Sequence, residues 1–329
     1  MKISLGIYPN QAPAEIVATG RLADELGFST LWMLDSHLLF REVYTLFGAL
    51  AVSTRRIRLG TAVTNPLTRH PTVTASAFAT LAALSDGRAS LGISVGDSAL
   101  KAMNLEIAKV AELAEAVHRC RALLAGAEVS FGPGKTARLH HAGVPVPIYI
   151  AATGPRMLKL SGEIADGVIL MNGIAPPLIQ AAIDIVREGE RAAGRTEGTT
   201  RIAVWAACHP ERDAVKFNVA RAILRKIPGP IDSLTRQVAG EVERAYTYQQ
   251  HGNAEAEFAR LIPDELVPRF AFSGGANAIA GQIADLSPLG VDEVILAIPF
   301  APGIASRDEV IALLGPRLLR GQADDTVRG

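Results

Sequence analysis

The chain has 329 residues, of which 49% are hydrophobic and 20% charged, and its 33 basic and 33 acidic residues balance. This composition supplies a large apolar core and excludes a chain that is disordered throughout. The balanced charge argues against nucleic acid or an anionic membrane as a partner. The sequence has no apolar run of roughly 18 residues and no signal-peptide pattern, so we expect a cytoplasmic protein without a membrane span.

Apolar runs typical of buried strands alternate with amphipathic segments along the whole chain, which is the pattern of βαβ units. The predicted strands are Ile3–Tyr8, Thr30–Leu34, Ile57–Val63, Ala89–Val95, Ile148–Ala152, Gly167–Met171, Arg201–Ala207 and Glu293–Ile298. The predicted helices are Ala14–Leu26, Tyr44–Ser53, Thr72–Leu84, Leu105–Leu124, Arg156–Ile164, Leu178–Ala193, Ala214–Leu261, Ala276–Leu286 and Asp308–Leu319. Eight such units predict an α/β fold of the (β/α)8 TIM-barrel type, with a doubly wound open sheet as the alternative.

Two segments exceed what a barrel of roughly 250 residues requires. Residues 127–147 surround a Gly132-Pro133-Gly134 turn and predict a small hairpin before the fifth strand. Residues 210–272 predict a helical insertion after the seventh strand, where long excursions often build lids or binding walls. We expect one domain over residues 1–329, with the polar residues 321–329 frayed.

Polar residues recur where the predicted strands end, and TIM-barrel enzymes carry their active sites at that edge. They are Tyr8, Asn10, Asp35, Ser36, His37, Thr64, Asn65, Gly96, Asp97, Thr153, Gly154, Asn172, Cys208 and His209. Each has an ordinary structural explanation by itself, since Asp35 could cap a helix and His37 could sit in a loop. Their recurrence at one edge of the barrel predicts an active site.

Several catalytic classes lack their residues at this edge. A barrel metal site usually needs a His-x-His pair after the first strand, where this chain has Tyr8-Pro9-Asn10, so we expect no metal. A G-x-S-x-G nucleophile motif is absent. Gly134-Lys135-Thr136 imitates the end of a P-loop, but Val129 stands where the first glycine would be required.

The strongest anion-binding pattern is Ala151-Ala152-Thr153-Gly154-Pro155-Arg156. A strand ends there, glycine permits close approach of a ligand, and proline opens a helix whose free N–H groups suit a phosphate. Arg156 and Lys159 add positive charge nearby. An ordinary turn between strand and helix is the alternative.

The run Gly60-Thr61-Ala62-Val63-Thr64-Asn65-Pro66-Leu67-Thr68-Arg69-His70-Pro71 resembles the bacterial luciferase-like flavin and deazaflavin oxidoreductase superfamily. Within it, the chain most resembles the coenzyme F420-dependent methylenetetrahydromethanopterin reductases. Further matching segments are residues 31–35, 91–97, 147–158 and 162–168. The resemblance covers about residues 1–170 well and the long insertion poorly.

The resemblance implies a TIM barrel whose deazaflavin, coenzyme F420, lies across the carboxyl ends of the strands, with FMN as the alternative cofactor. It implies a non-prolyl cis peptide at Ala62–Val63 behind the ring, and a tail phosphate on the turn at 153–155. The cofactor-binding residues expected from these matches are Asp35, Ala62, Val63, Thr64, Asn65, Gly96, Asp97, Ala152, Thr153, Gly154 and Arg156.

The expected reaction is hydride transfer between F420 and an electrophilic carbon of a small organic substrate, including a C=N or methylene-pterin-like centre. The alternatives are an FMN-dependent luciferase-like monooxygenase and a cofactor-free binding protein of the same fold. The reductases carry a glutamate where this chain has Gly6, which leaves the substrate and the proton donor open.

We expect His37, Asp97 and Asp35 to be the catalytic residues. His37 is the favoured proton donor because histidine exchanges protons near neutral pH. We also expect a homodimer formed through Ala14–Leu26 and Thr72–Leu84, because Ala75, Ala77, Phe78 and Ala79 cannot all face one core.

Overall fold

The computed structural model describes residues 1–246, 256–300 and 303–319, and its centre is a closed barrel of eight parallel strands. The strands are β1 (Lys2–Ile7), β2 (Thr30–Met33), β3 (Arg58–Thr61), β4 (Ala89–Ile93), β5 (Val129–Ser130), β6 (Thr136–Ala137), β7 (Ile148–Ala152), β8 (Gly167–Leu170), β9 (Arg201–His209), β10 (Ala271–Ser273) and β11 (Glu293–Ala297). Pairing runs β1–β2–β3–β4–β7–β8–β9–β11 and returns to β1. The predicted TIM barrel is confirmed, and the open sheet is excluded.

Helices pack around the barrel and over the carboxyl ends of its strands. They are α1 (Pro13–Leu26), α2 (Val43–Ser53), α3 (Pro71–Leu84), α4 (Ser98–Lys101), α5 (Val110–Leu124), α6 (Pro155–Ile164), α7 (Pro176–Ala192), α8 (Lys216–Ile223), α9 (Ser233–Ala245), α10 (Val267–Phe270), α11 (Ala276–Ala284) and α12 (Arg307–Leu318). Proline is the first residue of α1, α3, α6 and α7, a position where its missing N–H costs no hydrogen bond. Among the described residues, no helix is both long and apolar enough to cross a membrane.

Alternation along the strands separates two apolar layers. In β7, Tyr149 and Ala151 point into the barrel, where they pack with Trp32 and Trp205. Their neighbours in β7 belong to the larger cluster between the barrel and the helices. This period of two is the strand geometry that the apolar runs predicted.

The hairpin predicted within residues 127–147 forms, with β5 and β6 antiparallel. The turn between them contains Gly132 and Gly134, both with positive φ, which glycine adopts without a steric penalty. The short strand β10 was not predicted. It pairs with the carboxyl-terminal part of β9.

The predicted helices were too long in two places. The stretch Ala214–Leu261 divides into α8 and α9, because Pro228 and Pro230 lack the N–H group a helix needs and Gly229 has a φ of +97°. The predicted helix Leu105–Leu124 begins at Val110. Residues 247–255 of the predicted insertion and the predicted frayed tail, 321–329, lie outside the described residues.

The helices after β9 have an apolar cluster of their own. Val219 and Ile223 of α8, Val238 and Val242 of α9, and Val267 of α10 pack together in it. Leu178 of α7 belongs to the same cluster, so the insertion is anchored to the helical layer of the barrel. That residues 1–329 behave as one domain stays a prediction.

Candidate active site

A cavity of about 620 Å³ lies at the carboxyl ends of the barrel strands, beneath α8. Strand ends and the turns that follow them contribute most of its wall. Those residues include Tyr8, Asp35, Ser36, Ala62, Val63, Asn65, Ser94, Gly96, Asp97, Ala151, Thr153, Gly154, Met171 and Trp205. The cavity is therefore at the edge where the sequence predicted an active site.

The Ala62–Val63 peptide bond is cis, as the resemblance implied. Both residues line the cavity directly after β3 ends at Thr61. The chain then rejoins the sheet, because the N–H of Thr64 donates to the carbonyl of Gly92 at 3.0 Å. The segment between these points presents backbone and small side chains to the cavity.

Asp35 is held by a chain of two hydrogen bonds. The hydroxyl of Thr64 donates to Asp35 Oδ2 at 2.7 Å, and the hydroxyl of Tyr44 donates to Thr64 Oγ1 at 3.1 Å. Tyr44 thus directs the single hydroxyl proton of Thr64 toward the carboxylate. Burial raises the pKa of Asp35 above its ordinary value, although the Thr64 bond opposes the shift. The protonated form of Asp35 therefore persists to higher pH than that of an exposed aspartate.

Asp97 lies on the rim of the same cavity. Its Oδ1 is 2.6 Å from the Nζ of Lys101, and both side chains are about half exposed. The adjacent Ser98 has its hydroxyl oxygen 2.5 Å from that of Ser36, which joins the segment after β2 to α4. Asp97 is thus fixed at the edge of the site, with a cation beside it.

Tyr8 connects the end of β1 to the helical insertion. Its hydroxyl accepts a hydrogen bond of 3.0 Å from Asn218 Nδ2 on α8. Its carbonyl accepts one of 2.9 Å from Arg307, which is buried. Burial raises the pKa of the Tyr8 phenol, although three arginines nearby act in the opposite direction. Tyr8 therefore stays protonated at neutral pH.

Three cations from α8 and the turn after it also line the cavity, namely Arg221, Arg225 and Lys226. Burial, reinforced by the neighbouring Arg221, lowers the pKa of Arg225 to about 10. These residues were not predicted, because the pattern of the insertion indicates helix but not which face of the helix meets the barrel. The spacing of Asn218, Arg221 and Arg225, at i, i+3 and i+7, was the available signal.

Eight of the residues expected to be catalytic or cofactor-binding line the cavity: Asp35, Ala62, Val63, Asn65, Gly96, Asp97, Thr153 and Gly154. Their predicted roles remain predictions, but the structure brings them together around one space.

Four of the residues expected to be catalytic or cofactor-binding do not line it. His37 and Arg156 are exposed on the surface. Thr64 is buried and directs its hydroxyl to Asp35, while Ala152 faces the outer helical layer, because alternate strand residues point to opposite sides. Direct roles for these four at the site stay predictions that their positions do not support. Within the described residues, no three His, Cys, Asp or Glu side chains cluster as metal ligands.

Comparison with known proteins gives matches over nearly the whole chain. A 5,10-methylenetetrahydromethanopterin reductase from Methanolobus tindarius is 30% identical and aligns with 97% of this chain and 100% of its own. The structure of the coenzyme F420-dependent tetrahydromethanopterin reductase from Methanopyrus kandleri superposes with a TM-score of 0.79 at 25% identity, covering 97% of this chain and 99% of that one. An F420-dependent glucose-6-phosphate dehydrogenase from Kineococcus radiotolerans is 37% identical over 57% of this chain and 63% of its own.

The family described as luciferase-like monooxygenase matches residues 1–293, which include every barrel strand through the start of β11. That match spans the residues that line the cavity, from Tyr8 to Phe270. With the reductase similarity, it confirms the resemblance seen in residues 60–71. The chain belongs to the luciferase-like monooxygenase family and is similar along its length to methylenetetrahydromethanopterin reductases.

Proposed function

We propose that this protein is an oxidoreductase that transfers a hydride between coenzyme F420 and an electrophilic carbon of a small organic substrate. The substrate class includes C=N centres such as that of a methylene-pterin. The observation that carries the proposal is the cavity at the strand ends, in a chain that aligns end to end with methylenetetrahydromethanopterin reductases.

The residues present suit a flat ring with an anionic tail. Ala62, Val63 and Gly96 line the cavity after the neighbouring strands β3 and β4 and carry no large side chain. Gly96 has a φ of +89°, and a β-carbon there would approach Leu100 to 2.5 Å, so this wall requires glycine. At Gly154, the start of α6 carries no capping side chain, and the positive end of the helix favours a phosphate.

When bound, F420 supplies the hydride chemistry, while the protein orients the reactants and keeps water out. Asp35 is the proposed proton donor inside the cavity, because burial raises its pKa and Thr64 fixes one of its oxygens. A neutral imine, carbonyl or alkene needs such a donor, whereas an iminium carbon needs none. Asp97 and Lys101 form an ion pair at the rim of the cavity, and α8 covers the opening of the cavity.

The direct test is cofactor binding to the purified protein. We expect F420 to bind at micromolar concentration or tighter, with a change in its fluorescence, and FMN to bind at least tenfold more weakly. Reduced F420 should then be oxidised when a methylene-pterin or another C=N compound is added. Binding of neither cofactor would contradict the proposal and leave the cofactor-free binding protein as the better hypothesis.

An FMN-dependent monooxygenase is the second candidate, because the family description that matches the chain names a luciferase-like monooxygenase and the resemblance implies FMN as the alternative cofactor. It predicts a yellow protein that consumes oxygen when its flavin is reduced. Tighter binding of FMN than of F420, with oxygen uptake, would favour it.

The proposal extends to the organisation of the protein, which is a single domain that pairs as a homodimer. Three of the α3 residues that predicted a dimer, Ala75, Phe78 and Ala79, are buried within the protomer and cannot form its interface. What supports the dimer instead is an apolar groove of about 460 Å³ between α2 and α3, with Val73 and Leu84 half exposed along it.

A further inference from the structure

One face of α8 and its following turn presents positive charge to the cavity. Asn218, Arg221 and Arg225 line the cavity at a spacing of three and four residues, which places them on one side of the helix. Asn218 reaches Tyr8 at the end of β1, and Arg225 reaches the carbonyl of Met171 just after β8. The face therefore extends across the cavity from β1 to β8.

Among the residues that the structure describes, Arg225 has no carboxylate partner of the kind that a half-buried guanidinium normally has. Its hydrogen bond to the Met171 carbonyl is long, at 3.5 Å, and within the described part of the chain no carboxylate forms an ion pair with it. The carboxylate that influences it, Asp97, is paired at 2.6 Å with Lys101. A desolvated guanidinium is costly unless an anion joins it.

Arg221 and Arg225 lie apart from the part of the cavity where the cofactor is expected. In the closed barrel order, β8 and β9 lie across from β3, and α8 follows β9 in the chain. A ring against Ala62–Val63 after β3 would leave the space in front of α8 to the substrate. Lys226 differs, because its backbone lies beside Gly154, where the cofactor tail is expected.

We propose that Arg221 and Arg225 bind an anionic group of the substrate, a carboxylate or a phosphate, and so select anionic substrates. The inference rests on the proposed function for the identity of the neighbouring ligand. Guanidinium groups suit such an anion because their N–H groups can bind two oxygens of a carboxylate or phosphate at once. The pair acts in binding and orientation, and it exchanges no proton.

The test uses inorganic phosphate as the probe and the F420-loaded protein, in which the cofactor tail already occupies the turn at Gly154. Calorimetric titration of phosphate is compared for the wild type, Arg225→Met, Arg221→Met and Arg225→Lys. Arg244→Met is the matched control, because it removes one exposed positive charge from α9 away from the cavity. The dissociation constant of F420 is measured for every variant.

We expect Arg225→Met and Arg221→Met to weaken phosphate binding at least tenfold and to change F420 binding less than twofold. Arg225→Lys should retain part of the affinity, and Arg244→Met all of it. The proposal is overturned if phosphate fails to bind the wild type or binds Arg225→Met equally well. It is also overturned if the two methionine variants weaken F420 instead, since the arginines would then hold the cofactor tail.

Failure of the proposed function gives a different result. If F420 does not bind the wild type, the phosphate titration is repeated without cofactor in a Lys226→Met background, which removes the cation whose backbone lies beside Gly154. If adding Arg225→Met to this background then abolished phosphate binding, the anion site would be supported even though the proposed function had failed. If Arg225→Met does not fold, as judged by circular dichroism, Arg221→Met and Arg225→Lys carry the same comparison.

Discussion

The indole of Trp205 lies against Gly6, so that a β-carbon on residue 6 would approach the Cη2 atom of the ring to 2.4 Å. The two residues belong to β9 and β1, which both flank β11 in the barrel. Position 6 is where the resemblance places a glutamate in the reductases. The space for such a side chain is therefore filled in this protein by Trp205.

We expect Gly6→Ala to lower the free energy of unfolding by about 1–3 kcal/mol, because the added methyl group overpacks the barrel interior against Trp205. The measurement is urea denaturation followed by circular dichroism. In a Trp205→Ala background the same substitution should cost less, since the obstructing ring is gone.

The control is Gly281→Ala in α11, where a β-carbon meets no atom within 4 Å and the residue is exposed. That substitution should raise stability by roughly 0.5–1 kcal/mol, as alanine in a helix usually does relative to glycine. Equal stability of Gly6→Ala and the wild type would show that the barrel adapts at this contact.

The barrel was predictable because its signals are local. The period of two in β7 and the proline at the start of α6 are both visible in the sequence, and the observed bounds of β7 equal the predicted ones. The residues that break the long helix, Pro228-Gly229-Pro230, are equally visible in the sequence.

The site was less predictable, because it depends on which face of each element meets the cavity. Ala151 lines the cavity and Ala152 does not, a difference set by the strand's orientation in the barrel. Arg221 and Arg225 come from an insertion with little resemblance to the family pattern. Only packing against the barrel shows that their helix faces the strand ends.

Asp35 should make stability depend on pH with a definite sign. Its folded pKa is raised, so between the ordinary value of about 3.9 and that raised value the folded state binds more protons than the unfolded state. The wild type should therefore lose stability relative to Asp35→Asn as pH rises through this window. Asparagine keeps an oxygen for the Thr64 hydroxyl, so the packing is matched. Unfolding free energies measured at several pH values test this.

Asp24 provides a control, because folding shifts its pKa in the opposite direction to that of Asp35. Burial would raise its pKa, but the N–H groups of Arg55, Arg56 and Ile57 donate to its carboxylate and lower the pKa overall. Its contribution to stability is present above the ordinary pKa and is lost as pH falls through the lowered one. Asp24→Asn should therefore reduce the acid sensitivity of the protein. If Asp35→Asn and Asp24→Asn changed the pH dependence of the unfolding free energy in the same direction, the opposite pKa shifts of the two carboxyl groups would be contradicted.

His37 tests where the proton comes from. The side chain is exposed and does not line the cavity, so we now expect His37→Ala to retain at least half of the wild-type turnover. Asp35→Asn should lower turnover at least tenfold on a substrate that needs a proton, and far less on an iminium substrate. The measurement is steady-state oxidation of reduced F420. A tenfold loss in His37→Ala with unchanged cofactor binding would restore His37 as the donor.

The groove between α2 and α3 is the expected contact of the homodimer. Val73 lies in the first turn of α3 and its side chain is 48% exposed along the groove. Val73→Glu should raise the dimer dissociation constant at least tenfold, because pairing would desolvate the carboxylate. The substitution leaves folding intact, since an acidic residue in the first turn of a helix is favourable.

Leu313→Glu on α12 is the matched control, as Leu313 is 55% exposed and does not line the groove. Sedimentation velocity at micromolar concentration should show a dimer for the wild type and Leu313→Glu, and a monomer for Val73→Glu. A monomeric wild type, or a Val73→Glu dimer of undiminished affinity, would rule out this interface.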